Sequence, residues 1–116
     1  MSDMFSVSSE RQGDDLGVVV LTGEVDIFTA PQFKECLLEL LDSGVKRLVV
    51  DLSEVTFIDS TALGVLIGGV RRVHGVGGSI TIVVTTRPVE RVLSVTGLDR
   101  VFSMHETRDE ALAALG

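Results

Sequence analysis

Apolar and polar positions follow two rhythms along this chain, and the change from one to the other is sharpest between residues 57 and 75. An apolar run stops at Asp59-Ser60, and from there Leu63, Leu66, Ile67, Val70 and Val73 repeat at three- and four-residue spacing. That spacing predicts the buried stripe of an amphipathic helix. Ser60 stands where the N-cap is expected, with Asp59 just before it, so a hydroxyl and a carboxylate meet at the electropositive mouth of the helix. Thr61, Gly64, Val65, Gly68, Gly69 and Arg72 fall on the opposite face, and three of these six are glycine. Each glycine inside a helix costs about 0.8–1 kcal/mol relative to alanine, so the three together give up roughly 2.5–3 kcal/mol. Two readings would offset that cost: tight packing on the sheet or a neighbouring helix, or a smooth, shallow surface that lets a partner's backbone come close.

The rest of the chain alternates between strand and helix patterns. Met4 to Ser8 places Phe5 and Val7 on one side, a short half-buried strand. Gln12-Gly13-Asp14-Asp15 is a turn, and Val18 to Leu21 is a strand covered on both faces, so the two strands should form a hairpin. Gly23 to Phe28 reads as a loop carrying the acids Glu24 and Asp26. Thr29-Ala30-Pro31-Gln32 then opens a helix, with Thr29 as cap and Gln32 completing a capping box. Its stripe is Phe33, Leu37, Leu40 and Leu41, and Gly44 stops it. Arg47 to Asp51 is a strand ending at an acid, and Ile80 to Val84 is another, beyond the turn at residues 75–78. With the intervening helix they make a right-handed βαβ unit and a parallel pair. Pro88 starts a short helix with Val89, Val92 and Leu93 inward, ended by Gly97, and Val101 to Met104 is the last strand. Thr107 to Glu110 is a second capping box, opening a helix that buries Ala111, Leu112 and Leu115. The expected fold is α/β in the order ββαβαβαβα, one domain over residues 1–116, with a mixed sheet and helices mainly on one face.

Composition narrows the function. The net charge of −7 argues against a nucleic-acid backbone or an anionic membrane as ligand, and leaves a protein or a small molecule. No apolar run approaches the ~18–20 residues that span a bilayer, and Met1-Ser2-Asp3-Met4 lacks a basic region followed by an apolar one, so a cytoplasmic chain is expected. Cys36 is the single cysteine and, beside Phe33, Leu37 and Leu40, reads as a small buried hydrophobe. His74 and His105 have no metal-ligand spacing, which leaves no protein-built metal site, and no motif calls for a cofactor. Ser60 has no Gly-x-Ser-x-Gly elbow and no convincing histidine partner, so no catalytic role is expected. Asp51 invites comparison with a phospho-accepting receiver, but the acidic pair and the late lysine of such a domain are missing. It reads instead as a satisfied acid at a loop entry.

At Asp59-Ser60-Thr61-Ala62-Leu63-Gly64 the chain resembles the STAS domain of anti-sigma factor antagonists. Leu21-Thr22-Gly23-Glu24-Val25-Asp26 is similar to that family's Gly-Glu-(apolar)-Asp segment, and Thr29-Ala30 to its helix opening. Leu48 to Leu52, and Thr96-Gly97-Leu98 with Val101-Phe102, also fit, so the resemblance covers nearly the whole chain. It implies a binding switch without catalysis or cofactor. The unphosphorylated antagonist binds an anti-sigma factor that is also a serine kinase and so frees the sigma factor. Phosphorylation of Ser60 ends that binding, and a PP2C-type phosphatase restores it. Thr61 is the rival acceptor. Asp26, Asp59, Thr61, Gly64, Val65 and Gly68 are expected on the partner surface, the two acids orienting the hydroxyl or touching the kinase. Ala62 stands where members commonly have glycine, and adds a methyl where a kinase would approach. A monomer is expected in the free state. The alternative is a STAS module of a larger sensory or transport assembly, never phosphorylated, that holds a nucleotide or a lipid.

Overall fold

Val18, Val19, Leu48, Val49, Val50 and Ile82 are sealed from solvent, because helices cover the central strands on both faces. The computed structural model describes residues 5–115, and its elements follow the expected order. They are β1 (Ser6–Arg11), β2 (Leu16–Val25), α1 (Ala30–Asp42), β3 (Arg47–Ile58), α2 (Ser60–Gly75), β4 (Ser79–Val83), α3 (Arg87–Val95), β5 (Ser103–His105) and α4 (Arg108–Leu115). A 3-10 turn over Leu98–Arg100 joins α3 to β5. The five strands lie in sequence order, β1 antiparallel to β2 and all other neighbours parallel.

Parallel neighbours joined by crossovers of one hand place their connecting helices on the same face. Accordingly α1, α2 and α3 share one layer, where Phe33, Leu37, Leu66, Val73, Val89 and Leu93 meet Val19, Leu21, Leu48, Val50 and Ile82. Side chains alternate along a strand, so Val18, Val49 and Val83 point the other way. Ala111, Leu112 and Leu115 of α4 cover them.

Several boundaries differ from the sequence reading. The first strand begins at Ser6 and runs to Arg11; Met4 lies outside the described residues. β2 continues through Gly23-Glu24-Val25, expected as loop, and β3 continues seven residues past Asp51 to Ile58. The two extensions pair with each other through register shifts between Val20 and Thr22 and between Gly23 and Glu24, where Gly23 takes a φ of 85°. Such bulges break the strict alternation that marks a strand in sequence. The last strand starts at Ser103, after a turn that leaves Val101 exposed and Phe102 buried. Ile67 and Leu41 lie at the margins of their stripes, and Cys36 is half-buried beside Ser9 of β1 rather than enclosed. Thr107 Oγ1 accepts the Glu110 amide at 3.1 Å, while Glu110 reaches back to the Glu106 amide at 3.3 Å, one residue earlier than in a standard box.

Candidate functional site

β2 and β3 end together. Val25 pairs with Ile58, and the Asp59 amide donates to the Val25 carbonyl at 3.2 Å. The loop that begins at Asp26 and the helix capped by Asp59 therefore leave the sheet side by side, at the carboxyl end of its parallel strands. Asp59, not Ser60, is the N-cap of α2. Its backbone is extended (φ −119°, ψ −174°), and its Oδ1 accepts the amides of Thr61 at 2.9 Å and Ala62 at 3.2 Å. A carboxylate brings full charge to the positive helix end, where a hydroxyl brings only a dipole. The Leu63 amide bonds the Asp59 carbonyl at 3.1 Å, which closes the first turn. Ser60 is thus the first residue inside the helix, exposed, with its hydroxyl in no hydrogen bond among the described residues.

Asp26 builds the neighbouring loop. Its Oδ1 accepts the amides of Phe28 at 2.9 Å and Thr29 at 3.1 Å, while its own amide donates to Thr29 Oγ1 at 2.9 Å. Thr29 Oγ1 in turn donates to the Glu24 carbonyl at 3.0 Å. Thr29 precedes α1 as expected but makes no side-chain cap bond to it, so the capping box with Gln32 does not form. Its hydroxyl is already committed to tying the loop back to β2. Neither Asp26 nor Asp59 bonds the Ser60 hydroxyl, and both carboxylates hold backbone instead. The Asp26 turn pushes Ile27 and Phe28 outward to 62% and 84% exposure, and Phe57, opposite Glu24, is 48% exposed. Sequence reasoning did not single out these three apolar side chains. The available signal was an apolar pair between Asp26 and Thr29, two residues that favour turns.

A groove of about 750 Å³ runs between α1 and α2. Thr61, Gly64, Val65, Gly68 and Gly69 form its α2 wall, and Pro31, Lys34 and Leu38 face them from α1. The glycines of this face differ in what surrounds them. A methyl at Gly69 would lie 3.0 Å from Leu37 and 3.1 Å from Ile80, whereas one at Gly64 or Gly68 would meet nothing within 4 Å beyond the backbone of its own helix turns. Gly69 serves packing, and Gly64 and Gly68 leave the groove smooth. Arg72 and Asp42 pair at 2.7 Å across the carboxyl-terminal turns of the two helices.

Asp51 belongs elsewhere. It lies in mid-strand rather than at a loop entry, 5% exposed, with Oδ1 on the amide and hydroxyl of Ser53 and Oδ2 on two guanidinium nitrogens of Arg108, each at 3.2 Å. It fastens α4 to the sheet. Among the described residues no group of three or more His, Cys, Asp or Glu side chains could hold a metal ion, and no helix is long and apolar enough to cross a membrane.

The sequence pattern of the STAS domain matches residues 7–111. The anti-sigma-B factor antagonist of Bacillus subtilis is 33% identical over 94 residues, which cover 81% of this chain and 85% of that protein. A Thermotoga neapolitana protein provisionally named an anti-sigma factor antagonist is 37% identical over 100 residues, 85% of this chain and 88% of its own length. The crystal structure of an anti-sigma factor antagonist from Mycobacterium paratuberculosis superimposes with a TM-score of 0.88 at 29% identity, over 96% of this chain and 93% of the other.

Proposed function

We propose that Ser60 is the switch in this chain, which belongs to the STAS domain family and, through its relatives, to the anti-sigma factor antagonists. The unmodified protein binds an anti-sigma factor with serine-kinase activity through the α1–α2 groove, the Asp26 loop and the Asp59-capped end of α2, and thereby releases the sigma factor. The kinase moves the γ-phosphoryl group of ATP to Ser60 Oγ; the hydroxyl proton leaves and ADP departs. A PP2C-type phosphatase lets water take the phosphoryl group, which regenerates the hydroxyl and frees phosphate. The protein acts by binding, without turnover of its own, as a monomer in the cytoplasm. The observation that carries this reading is the Ser60 hydroxyl itself, exposed and in no hydrogen bond among the described residues, beside a groove walled by Gly64 and Gly68. The Thr61 hydroxyl is the rival one position further into the helix.

Magnitudes favour a switch of binding over a switch of folding. Phosphorylation adds about −1.5 to −2 charge at pH 7. At a helix mouth such charge changes stability by only ~0.3–1 kcal/mol. Against a closing interface the same dianion must lose its water, at a cost of several kcal/mol unless cations meet it. A loss of about 2.7 kcal/mol already weakens binding a hundredfold. The reading as a nucleotide- or lipid-holding module is not favoured, since the relatives that match over most of both chains carry the antagonist name.

The test is incubation with a candidate anti-sigma kinase and ATP, followed by intact mass and peptide mapping, then binding of substituted proteins to that kinase. One phosphoryl group on Ser60 is expected, with Ser60→Ala binding as tightly as the native protein and Ser60→Asp about a hundredfold more weakly. Equal affinity for the two variants would refute the switch, and phosphate on Thr61 would move it.

A further inference from the structure

A phosphate on a serine in the first turn of a helix ordinarily folds back onto the free amides there, which neutralise part of its charge. In this protein those amides are taken. Asp59 Oδ1 holds Thr61 N at 2.9 Å and Ala62 N at 3.2 Å, and Leu63 N is bonded to the Asp59 carbonyl. Among the described residues, the Ser60 amide alone of this first turn has no such partner. The geometry points to Asp59 as the positioning residue of the switch: it fills the helix-mouth amides that a phosphate on Ser60 would otherwise take, and so keeps that phosphate turned outward, where a partner must meet it.

Two consequences follow from the same carboxylate. The phosphate gains little from the helix dipole, because the position closest to the amides is occupied by a charge of its own sign. It also stays solvated and mobile, the state most costly for a partner to cover and most open to a phosphatase. A serine in the same place without the preceding acid would draw its phosphate into the helix end and hide part of the signal. Asp59 therefore matters most after phosphorylation, although its bonds are formed before it.

This inference rests on Ser60 being the modified residue, and its test is independent of which kinase modifies it. Phosphoserine is incorporated at position 60 during translation in the native protein, in Asp59→Gly, which frees the amides at little cost to the cap, and in Asp59→Asn, which keeps the acceptor and removes the charge. Amide proton shifts and thermal unfolding are then compared between the serine and phosphoserine forms of each. In the native protein and in Asp59→Asn, the Thr61 and Ala62 amides should stay in place on phosphorylation. In Asp59→Gly they should move downfield as the phosphate takes them. Phosphorylation should lower the melting temperature of the native protein by about 2 °C, lower that of Asp59→Asn less, and raise that of Asp59→Gly by a similar amount. Downfield movement of Thr61 and Ala62 in the native phosphoprotein would show that the phosphate displaces Asp59 and would overturn the inference. Unmoved amides in Asp59→Gly would overturn it as well, by showing that the phosphate does not seek them. Absence of kinase transfer to Ser60 in the separate mass experiment would instead count against the proposed function.

Discussion

Replacing the glycines of α2 one at a time by alanine separates packing from partner surface. At Gly64 and Gly68 an added Cβ meets nothing within 4 Å beyond the backbone of its own helix turns, so each substitution should collect the full helix-propensity gain of about 0.8–1 kcal/mol. In a domain of this size that is a rise of roughly 4 °C in melting temperature for each. The two sites lie one turn apart on the same face, so the double variant should be more stable than either single variant, with the departure from additivity read by the double-mutant cycle. At Gly69 the new methyl would stand 3.0 Å from Leu37 Cδ2 and 3.1 Å from Ile80 Cδ1, and both side chains would have to give way inside a filled core. Overpacking there should absorb the propensity gain and leave Gly69→Ala neutral or destabilised. Urea and thermal unfolding of the three single variants and the double read these values directly.

The same variants weigh function. If Gly64 and Gly68 are kept small for a partner's approach, the double variant should be more stable yet bind an anti-sigma partner at least tenfold more weakly, a loss of about 1.4 kcal/mol. A destabilised Gly64→Ala or Gly68→Ala would refute the reading of an open face. A stabilised double variant with unchanged affinity would refute the role of the groove.

Two further outcomes follow from contacts away from the site. Arg108→Leu should cost about 1–3 kcal/mol, because it leaves the 7% exposed Asp51 side chain with only the Ser53 bonds, and adding Asp51→Asn should recover part of the loss in a double-mutant cycle read by urea unfolding. Burial pushes the Cys36 thiol upward, the Ser9 hydrogen bond opposes this, and Glu39 and Glu35 push it further up. Cys36 should therefore react with Ellman's reagent more slowly than a free cysteine at pH 8 and accelerate at higher pH. The unfolded thiol ionises first, so the same shift should lower stability as pH rises above the ordinary cysteine range, and a thiol reacting as fast as free cysteine would contradict it.

What was legible in the sequence was whatever repeats. The stripe of α2, the runs Val18–Leu21 and Leu48–Val50, and the stops at Gly44 and Gly97 needed no tertiary information, and the order of elements followed from them. The ends were harder, because they are decided by competition between groups. Ser60 and Thr29 both have the right chemistry for caps, yet Asp59 and Asp26 take the amides nearby, and Thr29 is diverted to the Glu24 carbonyl. No propensity ranks such rivals, since the winner depends on how β2 and β3 present them. The strand extensions were hidden for a related reason. Bulges at residues 20–24 of β2 spoil the alternation, and Gly23 and Glu24 look like a loop until a partner strand is beside them.

Those hidden extensions make the site. Had β2 and β3 ended at Leu21 and Asp51, they would have stopped near the level at which α4 covers Val18, Val49 and Val83. Instead they run on, paired to each other through to Val25 and Ile58, and carry the Asp26 loop and the mouth of α2 beyond that cover. The bulged ladder holds the two strand ends together, so Asp26 and Asp59 can spend their carboxylates on shaping backbone rather than on holding one another. Asp26 turns its loop outward and exposes Phe28; Asp59 closes the first turn of α2 and leaves the Ser60 hydroxyl in no hydrogen bond among the described residues. A serine that capped its own helix would have its oxygen engaged by an amide, and phosphorylation would then disturb the helix end together with any interface. Giving the cap to the preceding acid separates the two, so under the proposed function a charge added at Ser60 would change binding by several kcal/mol while the fold beneath it changed by less than about one.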